Sequence, residues 1–185
     1  MAGGGDVIID LEHPEYWIQL ARLRTTPAQW HAYNWRGSFL YRSLVLEVAG
    51  RLWDPVPDFC WQAEPNLRIH PPKGPGIEEH TDGDFGHLAE EWNCWVPLTE
   101  LTDDSQRLWV KGDIWAPVDC QPGQAYLFRG ATTEHASVSN NTQTTRRSMD
   151  FRLIRAAAYE DRGIKTIEYG VPMRIPEYWS RWTDA

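Results

Sequence analysis

His135-Ala136-Ser137, then Val138-Ser139-Asn140-Asn141-Thr142-Gln143, then Arg146-Arg147-Ser148-Met149-Asp150-Phe151-Arg152-Leu153-Ile154, is the stretch that decides the fold. Strand-forming residues, Ala136 to Val138 and Ser148 to Ile154, flank a polar turn, the pattern of antiparallel β-structure. Read as a hairpin, the turn sets His135 and Arg146 on neighbouring strands, both directed into one cavity. Ser148 and Arg152 share strand parity with Arg146 and face the same way.

Similar segments recur from Phe59 onward: Trp61 to Ala63, Leu67 to His70, Asn93 to Pro97, Leu108 to Val110 and Ala125 to Phe128, with Pro, Gly, Asp and Asn between them. Short strands at this spacing predict an antiparallel sandwich or barrel. The first third reads differently. His13-Pro14-Glu15 opens a helix carrying Trp17, Leu20, Ala21 and Arg24, and Thr26-Pro27 starts a second. Leu40, Leu44, Val45, Val48 and Leu52 recur at three and four, the stripe of an amphipathic helix that ends near Gly50 and Asp54-Pro55. The expected architecture is mainly β with supporting helices, in one domain over 1–185. Residues 1–58 form mainly helical support, 59–155 the β core, and 156–185 a closing segment. The aromatic tail from Tyr169 to Trp182 is long enough to pack across a homodimer, and equally suited to its own chain.

Eleven tryptophans in 185 residues favour large buried rings and a β-rich body. A net charge of -8 opposes nucleic-acid binding, which needs clustered Lys and Arg. Cys60, Cys94 and Cys120 lack paired spacing and read as reduced thiols of a cytoplasmic protein. No segment has the roughly 18 consecutive apolar residues of a membrane span.

The chemistry lies in few residues. His80 and Asp82, one residue apart in an extended segment, project to one face, and His135 can complete a metal triangle. Two imidazoles and a carboxylate on one side of a metal suit non-haem Fe(II) activating dioxygen. Arg146 offers a planar fork to a carboxylate and Ser148 adds a donor, which together grip a dicarboxylate. Asn93 and Arg152 are expected beside them, touching cosubstrate or substrate, with a satisfied core amide for Asn93 and an ion pair with Asp150 or another acid for Arg152 as equal alternatives. Arg68 reads equally as a structural ion pair. His87 can contact substrate in the lid but reads first as an exposed loop histidine, and Trp92, Trp95 and Trp109 read as core rings that can also line the cavity.

The runs Leu67-Arg68-Ile69-His70, Glu79-His80-Thr81-Asp82-Gly83-Asp84-Phe85-Gly86-His87, Trp92-Asn93-Cys94-Trp95-Val96-Pro97-Leu98-Thr99, Leu108-Trp109-Val110 and Thr145-Arg146-Arg147-Ser148-Met149-Asp150-Phe151-Arg152 carry a resemblance over about residues 59 to 155. They resemble the Fe(II)- and 2-oxoglutarate-dependent oxygenases, in the phytanoyl-CoA dioxygenase-like branch with streptomycin-biosynthesis-type proteins. The resemblance implies a double-stranded β-helix (a jelly-roll or cupin-like core), with His80, Asp82 and His135 as iron ligands and Arg146 with Ser148 on the far carboxylate of 2-oxoglutarate. It implies hydroxylation of a C–H bond in a small molecule by dioxygen, with release of succinate and CO2. Family members that halogenate have a small residue in place of Asp82, so the aspartate favours hydroxylation. Lys111-Gly112 departs from the pattern where glutamate and serine are expected, and short loops after Asp82 and Thr99 leave a smaller lid. Two other classes compete: a zinc hydrolase with the same ligands, which leaves Arg146 and Ser148 unexplained, and a non-catalytic carbohydrate-binding β-sandwich, supported by the tryptophans alone.

Overall fold

The computed structural model describes residues 5–13, 15, 19, 26–167 and 169–182. The helix expected from His13 to Arg24 falls largely outside them. Thr26 caps α1 (Pro27–His31) through a reciprocal box with Gln29, and Ser38 caps α2 (Phe39–Leu52) by accepting the Tyr41 N–H. One stripe of α2, comprising Tyr41, Leu44, Val45, Val48 and Ala49, is buried.

The strands are β1 (Val7–Asp10), β2 (Phe59–Gln62), β3 (Asn66–His70), β4 (Ile77–His80), β5 (Trp92–Pro97), β6 (Trp109–Lys111), β7 (Trp115–Pro117), β8 (Gln124–Phe128), β9 (His135–Ser137), β10 (Arg146–Arg155) and β11 (Trp179–Trp182). They form two antiparallel sheets. The larger runs β1-β8-β5-β10-β2-β11 with β3 also on β10, and the smaller runs β4-β9-β6-β7. This is the expected double-stranded β-helix, with α2 packed against the larger sheet.

Strand β10 organises the molecule through its period of two. Met149, Phe151 and Leu153 join the apolar core with Leu44, Val45 and Val48, and the Phe151 ring lies 5.5 Å from Tyr41. Truncating a ring so enclosed typically costs about 3–5 kcal/mol. The alternate residues Arg146, Ser148, Asp150 and Arg152 are also buried, but on the opposite face, between the sheets. A strand with one apolar and one charged buried face needs a polar cavity beside it.

The hairpin expected between His135 and Arg146 does not form. β9 pairs with β4 and β6 in the smaller sheet, whereas β10 pairs with β2, β3 and β5 in the larger. The intervening segment crosses from sheet to sheet, held by the Asn140 side chain, which donates to the carbonyls of His70 and Thr144. His135 and Arg146 still border one cavity, from opposite walls.

The tryptophans are mostly core. Trp30 and Trp35 are fully buried, with indole N–H groups donating to the carbonyls of Pro65 and Trp30 at 2.7 and 2.8 Å. Their burial removes the stacking faces a carbohydrate module would need. The tail packs within its own chain, β11 pairing with β2. Cys60, Cys94 and Cys120 are free and buried. No described helix is long and apolar enough to cross a membrane.

Candidate metal centre and substrate cavity

His80 ends β4 and His135 begins β9, and the two are directly paired across the strands, with ring centroids 4.4 Å apart. A register shift between Ile77 and His80 separates this pair from the Ile77 and Ser137 pair. Each Nδ1 lies within hydrogen-bond distance of a carbonyl two residues earlier, His80 to Glu78 at 2.8 Å and His135 to Thr133 at 2.9 Å. A carbonyl only accepts, so the hydrogen sits on Nδ1 and each Nε2 keeps its lone pair for a metal. Burial lowers the pKa of His135 against the opposing pull of Asp82, favouring the neutral ligand form.

Asp82 opens a single turn of 3-10 helix, Asp82–Phe85, and its N–H donates to the Gly130 carbonyl at 2.8 Å. Ligand atoms of His80, Asp82 and His135 all lie within 4.8 Å of one another. This fits a facial metal site in both spacing and donor chemistry. Asp82 Oδ2 accepts from Arg152 Nη2 at 2.8 Å and from Asn93 Nδ2 at 3.0 Å, while Oδ1 lies 3.7 Å from His135 Nε2. Burial works against the charge, yet Arg152 and then His135 outweigh it and hold the carboxyl well below its ordinary range. Gly130 is required here, because a Cβ would sit 2.4 Å from Asp82 Oδ2 and 3.1 Å from Asn93 Nδ2.

Arg146 is 2% exposed and donates through Nη1 to Ser148 Oγ at 2.8 Å. Its Nε has no partner, and no described carboxylate forms an ion pair with it. Burial first, and then the neighbouring Arg68, lower its pKa to about 10. Arg68 is paired with Asp150 at 2.9 Å. A buried guanidinium left without an anion marks a place for one.

These groups line a cavity of about 420 Å³ between the sheets. It unites the sequence-predicted His80, Asp82, Asn93, His135, Arg146 and Arg152, with Ser148 bonded to Arg146. Asn93 and Arg152 here hold the Asp82 carboxylate, which for Arg152 is the alternative of an ion pair with an acid. Trp95 lines the cavity, whereas Trp92 and Trp109 do not. His87 also lines it, its side chain only 9% exposed and its Nδ1 2.6 Å from Glu91, so the reading as an exposed loop residue is corrected. Sequence reasoning missed Glu91 and Tyr178, whereas Asp150 was legible as an ion-pair partner on the same strand face. The four-residue spacing of His87 and Glu91 was a usable signal, but it falls in a segment without helical pattern.

A double-stranded β-helix whose cavity holds a His-Asp-His triad opposite a buried arginine has the architecture of the non-haem, 2-oxoglutarate-dependent oxygenases. The chain is 20% identical to the nickel complex of the non-haem monooxygenase ThoJ (TM-score 0.64, 97% of this chain and 82% of that one). It is 15% identical to the α-ketoglutarate-dependent carbocyclase SnoK from nogalamycin biosynthesis (TM-score 0.67, 97% and 92%) and to apo EctD from S. alaskensis (TM-score 0.69, 94% and 81%). No family model matches the sequence. The streptomycin biosynthesis protein StrG of Streptomyces griseus is 38% identical over 141 residues, spanning 76% of this chain and 67% of that protein. The chain therefore belongs to the family of StrG, and it shares the fold of the non-haem, 2-oxoglutarate-dependent oxygenases.

Proposed function

We propose that this protein is an Fe(II)- and 2-oxoglutarate-dependent hydroxylase of a small metabolite. The observation that carries the reading is the buried, unpaired Arg146 in the same cavity as the triad. A metal site alone fits several chemistries, but a buried guanidinium with a serine hydroxyl beside it calls for a carboxylate ligand. Zinc hydrolysis gives that pair no task.

In this reading His80, Asp82 and His135 hold the iron, and Arg146 with Ser148 binds the far carboxylate of 2-oxoglutarate. Iron and 2-oxoglutarate together supply the oxidising power, dioxygen being consumed as the ketoacid becomes succinate and CO2 and a substrate C–H bond becomes C–OH. The chain's residues supply orientation. Arg152 and Asn93 fix Asp82 Oδ2 and leave Oδ1 for the metal. The Nδ1 contacts to the carbonyls of Glu78 and Thr133 aim both imidazoles. Buried walls such as Trp95 and Phe128 exclude water.

The name of StrG supports a small biosynthetic metabolite as substrate. Solved structures of this fold include a carbocyclase, an epimerase and a monooxygenase, so the fold by itself does not fix the reaction outcome. We take residues 1–185 as one catalytic domain acting in a reducing cytoplasm, which suits three free buried thiols. Anaerobic addition of Fe(II) and then 2-oxoglutarate should produce a visible charge-transfer band that is absent in His80→Ala and Arg146→Ala. Tight metal binding without that band in the wild type would refute the oxygenase reading.

A further inference from the structure

The triad and Arg146 account for the inner part of the cavity, but its mouth has no task in holding metal or 2-oxoglutarate. Phe85, Ile77, Ile167 and Tyr169 line the same cavity and are all exposed, Ile167 at 75%. Large apolar side chains gathered around an opening mark a surface that a ligand covers. Phe85 carries this surface to the chemistry, because its ring centroid lies 5.2 Å from that of His80.

This apolar collar is built on two turns that are clamped together. One is the 3-10 turn Asp82–Phe85. The other is a hairpin over 164–173, closed by the Lys165 and Pro172 bridge. In it the N–H groups of Thr166 and Met173 donate to the carbonyls of Val171 and Ile164 at 2.9 and 2.8 Å, and the Val171 N–H donates to Thr166 Oγ1 at 3.0 Å. Gly170, with a φ of 63°, supplies the left-handed residue of the turn. Ile164 packs on Gly86, where an added Cβ would meet its side-chain carbons at 3.0 and 3.1 Å, and Arg162 Nη2 donates to the Gly86 carbonyl. Tyr169 is further supported by His31 of α1, with ring centroids 5.3 Å apart. Phe85, one residue before Gly86, is thereby held at a set distance from Ile167 and Tyr169. A surface ordered in advance loses little entropy when it is covered.

Charge narrows the occupant. Of the arginines that line the cavity, Arg68 is paired with Asp150, Arg152 holds Asp82, and Arg146 takes 2-oxoglutarate in the proposed function. Glu78 and Glu79 stand exposed on the same wall. An anionic tail at the mouth would meet carboxylates and, among the described lining residues, no uncommitted arginine. We infer that Phe85, Ile77, Ile167 and Tyr169 form a specificity collar for the alkyl or ring body of an uncharged or cationic substrate, and that phosphorylated and nucleotide-linked molecules are excluded. The occupant is the substrate because collar and triad line one cavity, so a molecule with its reacting carbon at the metal passes between these side chains. The word substrate rests on the oxygenase reading.

The test uses butan-1-ol, pentan-1-ol and hexan-1-ol, with hexylammonium and hexyl phosphate as charged counterparts. Each is titrated into the Zn(II) and 2-oxoglutarate complex carrying 13C-labelled isoleucine methyls, with zinc in place of iron to keep the sample diamagnetic. The methyls of Ile77 and Ile167 should shift, while that of Ile114, 77% exposed but outside the cavity, should not. Affinity should rise about fourfold with each added methylene, and hexyl phosphate should bind about tenfold more weakly than hexan-1-ol or hexylammonium. In the Ile167→Ser and Tyr169→Ser double variant the methylene step should shrink to about twofold or less, with an unchanged circular dichroism spectrum. No response to the probes, equal shifts at Ile114, an undiminished step in the double variant, or tightest binding of hexyl phosphate would overturn the assignment. A wild-type dimer that dissociates in the double variant would overturn it too, giving the collar to a second copy of the chain. Binding of 2-oxoglutarate is read first in the same sample. If it fails, the oxygenase reading falls, and the same titrations on the zinc-loaded protein still decide the collar.

Discussion

Replacing Arg146 with methionine should stabilise the protein and abolish its response to 2-oxoglutarate. Arg146 is 2% exposed, bonded to the Ser148 hydroxyl, and without a described ion pair. Its pKa falls well below the ordinary arginine range, to about 10, chiefly through burial. That fall corresponds to roughly 3 kcal/mol held against the charged form. Methionine fills comparable volume without charge, and removing a poorly compensated buried ion typically gains about 1–4 kcal/mol. The ligand-free variant should therefore exceed the wild type by about 1–3 kcal/mol, the lower end applying where the Ser148 hydroxyl loses its donor. A ligand at 100-fold its Kd stabilises the protein that binds it by about 2.7 kcal/mol, so 2-oxoglutarate should close or invert the gap by acting on the wild type alone. The assay is urea unfolding of both proteins loaded with Zn(II), with and without 2-oxoglutarate. A variant less stable than the wild type without ligand, or one stabilised equally by 2-oxoglutarate, would show that Arg146 has a structural partner and is not an anion site.

Three further outcomes follow from neighbouring contacts. Arg152→Met strips Asp82 of its closest cation at 2.8 Å and should cost about 3–5 kcal/mol in the metal-free protein, with Zn(II) restoring a larger share of stability than it adds to the wild type; unfolding midpoints with and without metal check it, and an equal metal increment in both proteins would count against it. Gly130→Ala drives a methyl to 2.4 Å from Asp82 Oδ2, so calorimetric Co(II) affinity should fall at least tenfold while circular dichroism stays close to the wild type; unchanged affinity would show that Asp82 can move aside. His70 is buried next to Arg146 and Arg68, and burial first, then those cations, lower its pKa to about 4. Between pH 4 and the unfolded value near 6.5, the unfolded chain binds more protons, so stability should drop as pH falls through this window, by up to about 3 kcal/mol. His70→Phe should flatten that part of the stability profile, and an unchanged slope would exclude His70 as its source.

The sequence disclosed the metal triad and the Arg146 and Ser148 pair because ligand chemistry and strand parity are local properties. The two-residue spacing of His80 and Asp82, and the alternation along β10, survive any arrangement of the other strands. Strand partnership was less accessible. The polar run after Val138 signals a chain reversal, yet turn residues do not say which strand comes next to which, and here the chain crosses to the opposite sheet. His87 and Tyr178 are 91 positions apart, and the short edge strands β1 and β11 carry little pattern of their own. Their meeting is a tertiary result of the tail closing over β2, which no local signal encodes.

Charge balance across β10 explains why this scaffold favours ligands over self-sufficiency. Its inward face carries Arg146, Asp150 and Arg152, and neighbouring strands and turns add Arg68 and Asp82. Asp150 pairs with Arg68, and Asp82 with Arg152, each at hydrogen-bond distance. Arg146 is left over. A protein selected for stability alone would fill that position with an apolar side chain, as the opposite face of the same strand does with Met149, Phe151 and Leu153. Retaining the cation lowers the stability of the ligand-free state and makes a bound carboxylate more favourable by the same interaction. The Asp82 and Arg152 pair has a related logic: the arginine balances the carboxylate before a metal arrives, while Oδ1 remains free to meet it. One electrostatic demand is thus left inside the cavity, an anion at Arg146, beside a triad whose free ligand atoms suit a metal, and these are the places that 2-oxoglutarate and iron would take in the proposed function.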